Sequence, residues 1–197
     1  DHYRDAPFVF LANIDPDLQL SVLEQIKKPT LVGADSMNFW IKSKLRSLEM
    51  VLSKVDVLLI NEGEARDLTG NWNIVGAVKQ IADMGPRAVV VKRGEYGFVM
   101  LFENQFFILP AYPVEKVVDP TGAGDTFAGG FFGYLSKLED PWHMIHFKRA
   151  CIYGCLTASF TVENFGVSSL ENLKWDDVEK RHAEYAKVVD YLGPADL

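Results

Sequence analysis

Val118-Asp119-Pro120-Thr121-Gly122-Ala123-Gly124-Asp125-Thr126-Phe127-Ala128-Gly129-Gly130 is the stretch from which the rest of the chain can be read. A strand-like run, Val114 to Val118, leads into it, and an apolar, small-residue-rich segment, Thr126 to Leu138, leads out with helical spacing. Gly122, Ala123 and Gly124 make a tight turn that leaves backbone N–H groups uncovered at the start of that helix. Such an end carries partial positive charge and favours a phosphate. Asp125 adds a carboxylate at the same place. An anion cradle beside a base is the equipment for moving a phosphoryl group from a nucleotide to a hydroxyl. The competing reading is a glycine-rich turn capped by Asp125 and nothing more.

Composition narrows the field. The chain has 197 residues, of which 48% are hydrophobic and 24% charged, as expected of one globular domain with a real core over residues 1–197. Net charge is -7 and no Lys/Arg-rich block occurs, so nucleic acid and membrane surfaces are poor partners. No run is long and apolar enough to span a bilayer, and no signal peptide is visible. The two cysteines, Cys151 and Cys155, exclude a disulfide scaffold and fit a reducing cytoplasm. His143 and His146 lie just upstream, but the spacing matches no zinc pattern.

Strands and helices alternate along the chain. Phe8 to Leu11 reads as a strand, then a helix capped by Asp17 and running to about Lys27, then a strand from Thr30 to Ala34 ending at Asp35. Asp35 and Asn38 follow a strand end, where open α/β sheets bind ligands, although Asp-Ser-Met-Asn is also ordinary turn chemistry. Trp40 to Leu52 has a helical pattern with a break near Ser47. Val57 to Ile60 is a continuous apolar run, as in a parallel strand covered on both faces. Asn61 and Glu64 then open a helix stopped by Gly70. Another helix spans Asn73 to Met84, a strand spans Ala88 to Lys92, and the loop to Gly97 contains Gly94. Phe98 to Phe102 and Gln105 to Leu109 form a hairpin across Glu103-Asn104. Asp140 and Pro141 start a long helix to about Val162, and Trp175 to Leu192 is a charged final helix. The pattern predicts an α/β fold: three α-β-α layers around a largely parallel, Rossmann-like sheet.

The string from Asp119 to Phe131, Asp-Pro-Thr-Gly-Ala-Gly-Asp-Thr-Phe-Ala-Gly-Gly-Phe, resembles the C-terminal signature of the PfkB/ribokinase family of carbohydrate and nucleoside kinases. The likeness covers nearly all of this chain but only the C-terminal two-thirds or so of a typical member. It implies a ribokinase-like fold whose N-terminal part and lid are missing here. It also implies ATP and Mg²⁺ as cofactors and a small sugar or nucleoside acceptor; a homodimer is compatible with it. Asp125 is then the catalytic base, with Gly122, Ala123 and Gly124 as the anion-binding turn. Asn61 and Glu64 resemble the family's Asn-x-x-Glu motif, with Glu64 holding Mg²⁺ through water. Lys92, Gly94 and Gly97 fall in the nucleotide loop, though many members carry a small hydroxyl residue where Lys92 stands. Gly166 falls in the adenine loop, and Asp119 and Thr121 match part of a monovalent-cation site, which would take K⁺. A sugar kinase is the favoured expectation. An adenosine-type nucleoside kinase and a noncatalytic nucleotide-binding protein are the rivals. A dinucleotide-dependent dehydrogenase is excluded because no Gly-x-Gly-x-x-Gly follows the first strands. With the lid and the main acceptor contacts absent, these 197 residues are expected to bind nucleotide better than they catalyse.

Overall fold

The computed structural model describes residues 3–190. Six strands form one sheet in the order β1-β2-β3-β4-β5-β6. They are β1 (Phe8–Leu11), β2 (Leu31–Asp35), β3 (Val57–Asn61), β4 (Ala88–Lys92), β5 (Phe98–Phe102) and β6 (Gln105–Leu109). The first four run parallel, in register Phe8↔Leu31, Gly33↔Val57 and Val57↔Ala88, and β5 turns back antiparallel to β4. The expected largely parallel sheet is therefore present, with an antiparallel edge.

The described chain up to Gly94, with Phe98–Ile108, makes one compact unit; Glu95–Gly97 and the chain from Leu109 make a second. In the first unit, each of the first three strands is followed by a crossover to the next. These contain α1 (Pro16–Leu23), α2 (Asn38–Ser43) with α3 (Leu45–Leu52), and α4 (Glu62–Thr69) with α5 (Ile74–Ala82). Leu11, Val32, Ala34, Leu58, Ile60, Val89 and Val91 are buried on one side of the sheet with Leu48, Leu52, Ala65, Val78 and Ile81 of the helices. The alternate residues Leu31, Val57, Leu59, Ala88 and Val90 are also fully excluded from water. That two-sided burial is why these strands read as unbroken apolar runs.

Several boundaries differ from the sequence reading. Asp15, not Asp17, caps α1: its side chain accepts the N–H of Asp17, and Pro16 holds the first helical position. The break in the second crossover falls at Lys44, not Ser47, and Lys44 Nζ is tied to Asp15 and Asp17. α4 ends, as expected, at Gly70 in the left-handed conformation. The hairpin turns through Glu103 and Asn104, both at positive φ.

The second unit contains α6 (Ala123–Leu135), α7 (Met144–Val162) and α8 (Trp175–Val189). Val114 to Val118 is not a strand. Pro110 and Pro113 remove donors just ahead of it, and Val118 N instead donates to Val162 O at 2.7 Å. Asp140 and Pro141 form a turn, and α7 starts at Met144 with His143 as its N-cap. Gly130 and Gly154 let α6 and α7 approach closely; a Cβ at Gly154 would lie 2.8 Å from Phe127 O. The last two residues expected in α8, Tyr191 and Leu192, lie outside the described residues. Among the described residues, no helix is long and apolar enough to cross a membrane.

Leu58 sits mid-way along β3, the strand flanked by β2 and β4, and is completely buried. Leu58→Ala should cost about 2–5 kcal/mol of unfolding free energy. Urea denaturation followed by circular dichroism measures it, and a loss below about 1 kcal/mol would show that this face of the strand is not packed.

Candidate active site

Three neighbouring strands end on polar residues: β2 on Asp35, β3 on Asn61 and β4 on Lys92. The parallel register puts Asn61 opposite Lys92. All three lie at the carboxyl edge of the sheet, the edge at which open α/β sheets take ligands.

Asn61 and Glu64 form a reciprocal cap on α4. Asn61 Oδ1 accepts the N–H of Glu64 at 2.9 Å, and Glu64 Oε2 accepts the N–H of Asn61 at 3.0 Å. The three-residue spacing makes this geometry a local consequence of the sequence. The cap holds the Glu64 carboxylate in one place while leaving it only 7% exposed. Burial pushes the Glu64 carboxyl above its ordinary value of 4.5; the nearby Asp35 charge adds to the rise, whereas the Asn61 N–H and the Lys92 charge oppose it.

Lys92 does not stand free at the strand end. Its Nζ lies 3.1 Å from Asp35 Oδ2. Asp35 is thereby committed to Lys92 and, through Oδ1, to the N–H of Ser36 at 2.7 Å. The bond to Ser36 N–H is the turn chemistry that the sequence favoured for Asp35, and the pairing with Lys92 adds a tether. Next to this pair, Arg93 and Arg66 both bind Glu62. The Asp35–Lys92 pairing was not legible in the sequence, since 57 positions separate the two residues.

After Lys92, Gly94 opens a 3₁₀ turn, Gly94–Tyr96, at φ 57°, and a Cβ there would meet nothing within 4 Å. Gly97, at φ 84°, differs: a Cβ there would collide with Leu109 O at 2.0 Å. The close backbone approach at Gly97 is therefore to the chain itself.

In the second unit, Gly122 is the N-cap of α6 at φ 81° and offers no side-chain oxygen to the helix. By contrast, α1, α4 and α5 are capped by Asp15, Asn61 and Asn73 side chains. The first intrahelical bond of α6 is Thr126 N to Gly122 O, so the N–H groups of Gly124 and Asp125 have no acceptor inside the helix. Asp125 stands in this first turn and is exposed. It does not cap the turn. Thr126 fixes the turn from behind: its Oγ1 donates to Gly122 O at 3.0 Å and accepts from Thr161 Oγ1 of α7 at 2.9 Å. These two threonines were not singled out in the sequence, although Thr126 follows the decisive turn directly. Asp125 and Thr126 also border a groove of about 520 Å³ that runs past Gly129, Gly133, Tyr134 and Trp175.

Asp119 Oδ1 accepts the N–H of Thr121 at 2.9 Å, which holds the Asp119 carboxyl below its usual range. Asp119 N also lies 3.3 Å from Val162 O, bringing this turn to the end of α7. Gly166, just beyond α7, is exposed at φ 63°. Cys151 and Cys155 are buried thiols outside any disulfide, and burial pushes both up. Among the described residues, no three His, Cys, Asp or Glu side chains converge to hold a metal.

The chain has counterparts among known proteins. Residues 11–173 match the pfkB family carbohydrate kinase description, and the chain belongs to that family. It is 33% identical over 142 residues to a cytidine kinase of Thermococcus kodakarensis, covering 70% of this chain and 50% of that protein. It is 32% identical over 163 residues to a ribokinase of Arabidopsis thaliana, covering 78% and 41% respectively. The structure superposes on the nucleoside kinase of Methanocaldococcus jannaschii, an archaeal member of the ribokinase family, with a TM-score of 0.73 at 25% identity. That match covers 90% of this chain and 56% of the other. The fold is thus that of the ribokinase-like kinases, and the chain spans about half the length of the curated relatives it matches.

The raised Glu64 carboxyl has a consequence for stability. The folded chain holds the Glu64 proton more tightly than the unfolded chain does, so this residue's contribution is greatest in acid. It is lost as pH rises from 4.5 through the raised value. Glu64→Gln keeps an oxygen for the cap and cannot titrate. Its stability relative to wild type should therefore climb across that window in urea titrations between acid and neutral pH. A difference that stays flat, or falls, would contradict the buried-carboxylate description.

Proposed function

We propose that the protein is an ATP-dependent kinase that phosphorylates a hydroxyl of a small carbohydrate-like acceptor. One observation carries the reading: α6 begins on a glycine cap with no side-chain oxygen, and a carboxylate stands in its first turn. The N–H groups of Gly124 and Asp125 are then available to an oxyanion, and Asp125 is available to a hydroxyl proton. The transition state of phosphoryl transfer is loose, so the turn's fixed dipoles matter more than the strength of the base. The Thr126–Thr161 bond behind the turn keeps those dipoles in place before substrate arrives.

Asn61, Glu64, Lys92, Gly94 and Gly97 make up the proposed nucleotide side of the reaction. Glu64 offers a hard oxygen donor held by its cap, and among the described residues no three-ligand protein cage surrounds it. This suits Mg²⁺, which keeps several waters and takes one or two carboxylates together with substrate phosphates. When bound, the ion would neutralise phosphate charge. Lys92 supplies a further positive charge, and the turn at Gly94 leaves room for a ligand. Asp119 and Thr121 are oxygen donors suited to a hard monovalent cation such as K⁺, and Gly166 belongs to the proposed adenine loop. The similarity to a cytidine kinase favours a nucleoside acceptor as the second reading. A panel of sugars and nucleosides assayed with ATP and Mg²⁺ separates the two.

Asp125→Asn, assayed in the natural protein that carries this sequence, should lower turnover by on the order of 10² to 10⁴. Binding of ATP·Mg²⁺, followed by calorimetry, should stay close to wild type because the amide leaves the turn's backbone unchanged. Turnover close to that of wild type would remove Asp125 from the role of base.

Glu64→Gln should raise the Mg²⁺ concentration needed for half-maximal rate while leaving the acceptor KM nearly unchanged. An unaltered Mg²⁺ titration would count against the metal assignment.

A further inference from the structure

Asp35 and Lys92 close strands that are not neighbours in the sheet. β3 lies between β2 and β4, and Lys92 reaches over the end of β3 to meet Asp35. Two strand spacings amount to about 10 Å, and the register sets Asp35 two residues back from Lys92, opposite Leu59; an extended lysine stem and a carboxylate span this diagonal together. The two side chains are only 16% and 11% exposed. An ammonium withdrawn this far from water is costly unless a carboxylate neutralises it. With no partner, the flexible stem would turn its head out to solvent.

Asp35 is itself anchored at both ends. Gln19, 1% exposed, donates through Nε2 to Asp35 O at 3.1 Å, Leu11 O at 3.2 Å and Ala12 O at 3.0 Å. One side chain thus fastens the ends of β1 and β2 together. The Ser36 N–H holds Asp35 Oδ1. Asp35 is therefore held by two hydrogen bonds that do not involve Lys92, one at its backbone oxygen and one at Oδ1. A rigid carboxylate gives a long cation a defined address, and a charge held in place beforehand loses less entropy on meeting its ligand.

We infer that Asp35 is a positioning residue that fixes the Lys92 ammonium over the end of β3, as a standing positive charge for the phosphates of a nucleoside triphosphate. Asp35 touches Lys92, not the nucleotide, and the inference rests on the nucleotide-binding reading of Asn61, Glu64 and Lys92 given above. Removing the Asp35 charge has two opposed effects. It lifts a repulsion on phosphate, and it releases Lys92. The second wins, because an unpaired ammonium at this depth turns out of the site to reach water, and the attraction goes with it.

The test compares ATP·Mg²⁺ with adenosine, which has the same base and sugar but no phosphate. Calorimetry on this polypeptide gives the first affinity, and competition against a fluorescent ATP analogue gives the second. Asp35→Asn should weaken ATP·Mg²⁺ by about tenfold, the scale of one charge-assisted contact, and leave adenosine nearly unchanged. Asp35→Glu should restore most of the loss. Lys92→Met should match Asp35→Asn, and the double variant should be no worse than either single one, since both remove the same interaction. ATP binding by Asp35→Asn that equals or exceeds wild type would overturn the inference. So would a parallel loss of ATP and adenosine, which marks a structural role alone. A wild-type chain that is folded yet binds no ATP would overturn the nucleotide reading, and this inference with it.

Discussion

The site depends on the register of three parallel strands, which sets Asn61 level with Lys92 and Asp35 two residues back, opposite Leu59. Backbone pairing between β2, β3 and β4 sets that register, and the apolar residues inside each strand lock it. A shift of one residue would turn every side chain to the opposite face, and both apolar layers would have to repack. Asp35, Asn61 and Lys92 are the last residues of their strands and follow the apolar runs directly. Polar groups collect there because it is where the chain leaves the apolar interior and buried charges can still find partners.

Electrostatics at this edge follows from depth. Glu64, Asp35 and Lys92 are all largely withdrawn from solvent, so each must be satisfied by a neighbour. Glu64 has the Asn61 N–H and the field of Lys92. Lys92 has Asp35, and Asp35 has Ser36 and the framework held by Gln19. The result is a set of charges with little freedom to move. Such preorganisation suits a reaction in which placement and charge stabilisation outweigh bond-making by the protein.

The glycine turn before α6 applies the opposite strategy. At α4 a side-chain oxygen closes the helix start; at α6 a residue without a side chain leaves N–H groups with no acceptor inside the helix. The strain of positive φ selects glycine at the cap, and the hydroxyls of Thr126 and Thr161 hold the carbonyl side of the turn. Helix packing through Gly130 and Gly154 brings Thr157 and Thr161 of α7 against this segment. A structural feature, close helix contact, thereby positions a chemical one.

What was legible in the sequence is what depends on a few consecutive residues. The Asn61–Glu64 cap spans three positions, the Gly70 stop and the Glu103-Asn104 turn span two or fewer, and the Gly122 cap is written into its own turn. Alternation of apolar runs with amphipathic stretches was enough to give a parallel sheet, because two-sided burial leaves no polar face to alternate. Local signals also misled where they were shared between structures. Val114 to Val118 has the β-branched character of a strand, but prolines upstream and the carbonyl of Val162 drew its backbone elsewhere. The ion pair of Asp35 with Lys92, the triple bond of Gln19 and the collision that demands glycine at position 97 all join distant positions. Their existence turns on which strands lie two apart and how deeply their ends are buried, and both quantities arise only when the sheet has assembled.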